Sequence, residues 1–165
     1  MGKYIILLFS FTAVISCSAQ KNSSKEIVCP KSFISMEHKN YYSMNQELEN
    51  VLDYTATINN LKSKCNSKNN QSTSSVLDIL FVLKPINSST KSYHYNYFVA
   101  ILDNNKVLDY QLFQINGNFN IDENNLPIET TIIDSLDQHF PSLDNSYEIL
   151  IGFALTKEKY EFMEN

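Results

Sequence analysis

The chain has 165 residues, enough for one domain, and its 18 acidic against 13 basic side chains give a formal net charge of −5 at neutral pH. Every basic side chain is Lys, so the Arg residues that usually make bidentate phosphate and guanine contacts are missing, and nucleic acid is a poor match as a partner. With only 3 glycines in the chain, a glycine-rich phosphate loop is excluded before any motif is sought.

Residues 1–16 follow the plan of a secretory signal. Lys3 supplies a positive start, residues 4–15 form an almost unbroken apolar run, and Ser16, Cys17, Ser18 and Ala19 follow. The run is shorter than the roughly 20 apolar residues of a membrane-spanning helix. Val14-Ile15-Ser16-Cys17 resembles the lipobox of bacterial lipoproteins. That resemblance implies cleavage before Cys17, a diacylglyceryl thioether on its sulfur, and a further acyl chain such as palmitate on the freed amine. Two or more such chains hold a protein on a membrane stably, at about 0.8 kcal/mol per buried CH₂. Ser18, where the sorting rule of those lipoproteins reserves Asp for the inner membrane, points to the outer membrane facing the periplasm. The same residues can also be read as an ordinary signal cleaved after Ala19, with Cys17 incidental.

Residues 17–26 are polar and aperiodic, a flexible tether, and the domain is expected over residues 27–165. The apolar pattern from there is mostly of period two, the mark of half-buried strands. Residues 27–34 are a weak first strand containing Cys29. Residues 51–61 fit a helix through Val51, Tyr54 and Ile58, but Tyr54-Thr55-Ala56-Thr57-Ile58 favours a strand. Residues 66–75 read as a polar loop, 76–83 as a central strand ended by Pro85, and 88–90 as a turn. Strand 93–102 turns through Asp103-Asn104-Asn105 into strand 107–115. Phe113, Ile115, Gly117, Phe119 and Ile121 keep the alternation beyond it, which predicts one long strand with Gly117 at a bend or bulge. Residues 128–133 and 147–155 complete the strands, and Thr156 can cap a short helix over 157–163. About seven strands and one closing helix predict an all-β, immunoglobulin-like β-sandwich, with a small barrel as the second possibility.

Three cysteines become one pair once Cys17 is assigned to lipid. In an oxidising compartment Cys29 and Cys65 are candidates for a disulfide, two buried thiols and a metal site being the other readings. No His spacing beside them supports zinc. Cys29-Pro30, Tyr54-Thr55-Ala56-Thr57-Ile58 followed by Cys65, Tyr97-Phe98-Val99-Ala100-Ile101, and Ile151-Gly152-Phe153-Ala154-Leu155-Thr156 occur in that order. This resembles a family of uncharacterised alphaproteobacterial envelope lipoproteins. Those proteins have a Cys-Pro start, a second Cys after an Ala-x-Ile segment, a Tyr-Phe-Val-Ala-Val strand and a late Val-Gly-Phe-x-Leu-Thr strand. The resemblance implies the fold, the disulfide and the location, and carries no activity. The ending departs from that pattern, with Lys159-Tyr160 and Glu164-Asn165 standing where Gln-Leu and Asn-Arg would be expected.

His38, His94 and His139 are not spaced with each other, with Cys or with acids as metal ligands would be, and no cofactor is expected. His38 and His139 read as solvated loop residues. Alternation puts Tyr93, Tyr95 and Tyr97 on one face of their strand, with His94, Asn96 and Phe98 on the other. Such a tyrosine stripe is either a binding platform or the edge of a core. Asp103, Asp109, Asp122 and Asp134 fall at turns or solvent-facing positions, and there is no G-x-S-x-G nucleophile elbow. The reading is therefore a non-enzymatic, membrane-anchored lipoprotein that holds an envelope protein, by strand addition at an open edge. A lipid- or glycan-binding module using the sandwich interior or the tyrosine face is the second reading.

Overall fold

β-branched and aromatic residues at every second position favour extended backbone, because alternate side chains then share one buried face. The computed structural model describes residues 29–45, 51–68, 72–140 and 147–156, and these contain eight strands and no helix. The strands are β1 (Lys31–Ile34), β2 (Asn40–Met44), β3 (Leu52–Lys68), β4 (Ser72–Pro85), β5 (Ser92–Asp103), β6 (Lys106–Asn118), β7 (Thr130–Phe140) and β8 (Tyr147–Phe153). They form two four-stranded sheets, sheet A in the order β1-β8-β5-β6 and sheet B in the order β2-β3-β4-β7. All neighbours are antiparallel except β1 and β8. The all-β sandwich predicted by the sequence is what the chain forms. Its likeness to an immunoglobulin domain lies in the two packed sheets, since the strand order is not the A-B-E-D over C-F-G of that fold.

Several segments differ from their sequence expectation for identifiable reasons. Residues 66–68 and 72–75, expected in a loop, are strand, because β3 and β4 stay paired out to Lys68 and Ser72. The ladder bonds are main-chain, so Ser-, Asn- and Lys-rich composition does not prevent them. β2 was not anticipated, since only Tyr41 of its five residues is fully buried and no alternation shows. Gly117 lies inside β6 with no bulge. It faces Tyr93, whose ring occupies the space a Cβ would need. The register shifts instead between Ser43 and Met44, between Ile58 and Asn60, and between Ile101 and Leu102. Past Asn118 the chain leaves sheet A, and Ile121 makes only an isolated bridge to Pro127. The signal and tether expected over 1–26, with Cys17, and the helix expected over 157–163 lie outside the described residues.

Local chemistry sets the turns. Asn104 and Asn105 carry φ of 49° and 64°, the two positive values a type I′ hairpin needs, and Asn tolerates them better than most residues. Asp122 Oδ1 accepts the backbone N–H groups of Asn124 (2.9 Å) and Leu126 (2.8 Å), shaping the turn before the bridge. Asp53 fastens the crossing from sheet B to sheet A. Its carboxylate accepts from Asn45 Nδ2 at 2.8 Å and Thr90 Oγ1 at 3.3 Å, and its carbonyl accepts the N–H of Ile86 at 2.9 Å.

The core lies between the sheets and is centred on Phe81 of β4. Its ring centroid is 5.1 Å from that of Tyr97, 5.3 Å from Tyr95 and 5.8 Å from Phe153, all on sheet A. Ile58, Leu77, Ile79, Leu83, Val99, Ile149 and Ile151 fill the space around these rings. Cys29 and Cys65 stand at disulfide distance with Cα atoms 5.7 Å apart, joining the residue pair before β1 in sheet A to β3 in sheet B. Closing a loop over that sequence separation of 36 contributes about 4 kcal/mol on the chain-entropy account. Phe81→Ala removes the ring on which both sheets close, and is expected to cost about 3–5 kcal/mol of unfolding free energy, read from the midpoint and slope of a denaturant titration.

Candidate interaction surface

Tyr93, Tyr95 and Tyr97 do share one face of β5, and it is the inner one. Tyr95 is 1% exposed and Tyr97 0%, so the stripe is core and offers no platform. The same rings occupy the interior that the ligand-binding reading required, because Tyr95 and Tyr97 both pack tilted against Phe81 and Tyr97 also stacks on Phe113. A buried phenol usually finds a partner for its hydroxyl, and that of Tyr95 has none among the described residues. The Tyr54 and Tyr41 hydroxyls donate to the His94 carbonyl at 2.6 and 3.3 Å, and Tyr97 donates to Asp134 Oδ2 at 2.5 Å. Asp134 is thus turned inward at the rim of sheet B, not out to solvent as its position suggested.

The histidines also find places. His38 is no solvated loop residue. Its ring packs edge-on to Phe98 at 5.5 Å, its Nδ1 lies 3.0 Å from the Phe153 carbonyl, and its own carbonyl accepts the Phe153 N–H at 2.7 Å. Its Cβ sits over Gly152, where an added Cβ would fall 2.5 Å from it and 2.9 Å from the Phe98 ring. His94 points outward from β5 beside Gln114, at 3.1 Å, and His139 is exposed on β7. Among the described residues no three His, Cys, Asp or Glu side chains converge as a metal site requires.

The surface that the sequence did not announce is the outer face of sheet A. Cross-strand partners lie on the same face, so the pairings Phe33↔Leu150↔Ala100↔Tyr110 and Gly152↔Phe98↔Leu112 define two adjacent apolar rows, one across four strands and one across three. Tyr110 stacks on Phe98 with centroids 5.6 Å apart. At the β6 end the rows stay uncovered, with Leu108 51%, Tyr110 55% and Leu112 56% exposed. Leu108 is the residue left without a partner where Leu102 pairs Val107 and Ile101 pairs Asp109. The outer face of sheet B is mixed. Thr55, Thr57, Lys62, Lys64, Asp78, Lys84, Thr131 and Ser135 share it with Val76, Leu80, Val82 and Ile133, with Ser135 bonded to Asp78 at 2.7 Å and Lys84 paired to Glu129 at 3.5 Å. On β7 the exposed Ile133 stands between Thr131 and Ser135 on its face, whereas on β6 Tyr110 and Leu112 follow one another.

A signal for this face was present in β6. Phe113, Ile115 and Gly117 continue one phase of alternation, while Leu108, Tyr110 and Leu112 occupy the opposite phase. A strand apolar in both phases is buried twice or exposes one apolar face. The edge position of β6 decides for exposure. The chain matches no protein-family model, no curated protein and no solved structure. Its described residues form an all-β sandwich in which exposed apolar side chains run along the β6 edge of sheet A.

The buried tyrosines make a pH dependence. Burial pushes the Tyr54 hydroxyl up to about 12 despite its bond to the His94 carbonyl. Burial also raises Tyr41 and Tyr95, and raises Tyr97 together with the neighbouring Asp134 charge. The fold therefore favours the neutral phenols over the unfolded value of about 10. Their contribution is complete below about pH 10 and is lost as pH rises through the folded values. Alkaline titration followed by tyrosinate absorbance and circular dichroism should show these tyrosines ionising only with loss of the sheet signal. Smooth titration of all tyrosines near 10 with the fold intact would contradict the core arrangement.

Proposed function

We propose that this chain is a non-enzymatic, lipid-anchored binding module of a bacterial envelope that holds a protein through the β6 edge and the outer face of sheet A. The observation that carries this is the uncovered row of Leu108, Tyr110 and Leu112 on a 13-residue edge strand. A strand edge offers a row of main-chain donors and acceptors, and side chains beside it give selectivity, which is the arrangement used in strand addition. The apolar rows behind β6 would receive alternate side chains of the added strand. Sheet A runs from β1, where the chain enters the domain, to β6 at the opposite edge. Three inter-strand spacings, about 14 Å, separate them, so an anchor ahead of β1 leaves the β6 edge pointing away from the tether.

The address rests on Val14-Ile15-Ser16-Cys17 and on Ser18, which support lipidation and the outer membrane facing the periplasm. The Cys29–Cys65 pair fits the same oxidising compartment. Two experiments separate location from role. The intact mass of the membrane-fraction protein, alkylated without reduction, should begin at Cys17, carry acyl chains and show no alkylated thiol. A mass beginning at Gln20 would remove the anchor and leave a soluble secreted protein. For the role, a photo-crosslinking residue at Leu112 in living cells should give discrete protein adducts, and one at Lys62 on sheet B should give none. A second substitution, Tyr110→Lys, should lower the Leu112 adduct about tenfold or more while the sheet signal in circular dichroism is kept, because a desolvated lysine opposes strand addition and the lost stacking on Phe98 lowers the melting temperature without unfolding the sandwich. Equal adducts from both faces, or none from Leu112, would sink the reading.

A further inference from the structure

The four sheet edges of this sandwich are protected unequally. β1 has 4 residues and β2 has 5, too short to template a partner strand. β7 has 11 residues but carries Asp134 and Asp137, and its start follows the Lys84–Glu129 pair. β6 has 13 residues, and after the bulge at Leu108 its one charge is Asp109. From Tyr110 to Asn118 it has no charge and no proline. It is the one long edge among the described strands that lacks the usual guards.

We propose that the occupant of this edge is the β6 of a second copy of the chain, paired antiparallel about a twofold axis at Gln111, an inference that rests on the protein-binding reading above and names its partner. The sequence of β6 is self-complementary in that register. Tyr110 of each copy stands opposite Leu112 of the other, so the exposed apolar side chains coincide on one face. Gln111 meets Gln111, each able to donate and accept an amide bond. Asp109 falls opposite Phe113, and Lys106 opposite Asn116, so no like charges are juxtaposed although each chain is net acidic. The apolar rows become continuous through the axis. Phe33, Leu150, Ala100 and Tyr110 of one copy run on to Leu112 and Phe98 of the other, making one eight-stranded sheet from two sheets of four. Paired backbone with the uncovered sides of Leu108, Tyr110 and Leu112 from both copies gives on the order of 1,000 Å² in total, where specific interfaces begin, so a reversible dimer at about micromolar concentration is the expectation.

The test uses the full chain as isolated from cells. A photo-crosslinking residue at Tyr110 should yield an adduct of twice the chain mass, with the linked peptide lying in β6 of the second copy. Sedimentation equilibrium should show a reversible dimer, and Leu112→Lys should raise its dissociation constant about tenfold or more. Leu112 is over half exposed, and circular dichroism with thermal melting checks that the variant still folds. A monomer across the micromolar range, with Tyr110 crosslinking to a different protein, overturns the second copy while the binding surface stands. A dimer whose linked peptides lie outside β6 overturns the β6 pairing. A monomer with no protein adduct from Tyr110 or Leu112, or with adducts to lipid alone, overturns the second copy and the binding surface together.

Discussion

The contact between the Phe81 ring and the rings of Tyr95, Tyr97 and Phe153 sets the phase of the central strands. Aromatic side chains carry the largest apolar area per residue, so a core centred on them fixes which face of each strand turns inward. On β5 the inward set is Tyr95, Tyr97, Val99 and Ile101, and of its two hydroxyls that of Tyr97 is answered from the opposite sheet while that of Tyr95 is buried without a hydrogen-bond partner among the described residues. Tyr97 reaches Asp134 on β7, while the β5 carbonyl of His94 answers Tyr54 and Tyr41 from sheet B. A one-residue slip of β5 would expose the tyrosines and strand those partners. Once that phase is fixed, Phe98, Ala100 and Leu102 can only point outward. The apolar outer face is thus a consequence of the core register together with the residues that β5 carries in its other phase.

Two coverings limit that face without closing it. His38, arriving from the turn between the sheets, lies on Phe98 and Gly152 and is held by hydrogen bonds in both directions with Phe153. Glycine at 152 is required for this close approach, since any Cβ there would meet both neighbours. Tyr110 stacks on Phe98 from the other side. Phe98 is buried as a result, while the outward faces of Tyr110 and Leu112 beside it are not. Among the described residues the covering stops at β6, the edge strand of sheet A.

How much of this was legible in the sequence varied with the physical signal available. Strands β4, β5 and β8 carry dense apolar runs, and the β5–β6 hairpin carries Asn at both positive-φ positions, so these were readable. β2 and the polar ends of β3 and β4 were not, because main-chain ladders leave no mark in side-chain composition. The shared face of Tyr93, Tyr95 and Tyr97 followed from alternation alone. Whether that face was inside or outside did not, because tyrosine suits both and only the opposing sheet decides. The disulfide partners followed from cysteine number, and their distance needed the fold. The outer face of sheet A was hidden because it is assembled from four strands, and the second apolar phases of β5 and β6 do not by themselves say whether a further layer covers them.

Of the exposed residues of β6, Tyr110 serves the fold by stacking on Phe98. Leu108 and Leu112 keep more than half of their surface in solvent, so their replacement by threonine or lysine would cost the core little. Such residues would also guard the edge, as Asp134 and Asp137 guard β7. A sequence chosen for folding and solubility alone has no use for an uncharged, apolar edge on the longest unguarded strand. Natural sequences break local rules of this kind where function requires it. On the outer face of sheet B the exposed Ile133 of the β7 edge is flanked along its strand by Thr131 and Ser135. On β6 Tyr110 and Leu112 follow one another on the same face and no charge follows Asp109, so apolar exposure runs along that edge where on β7 it is interrupted.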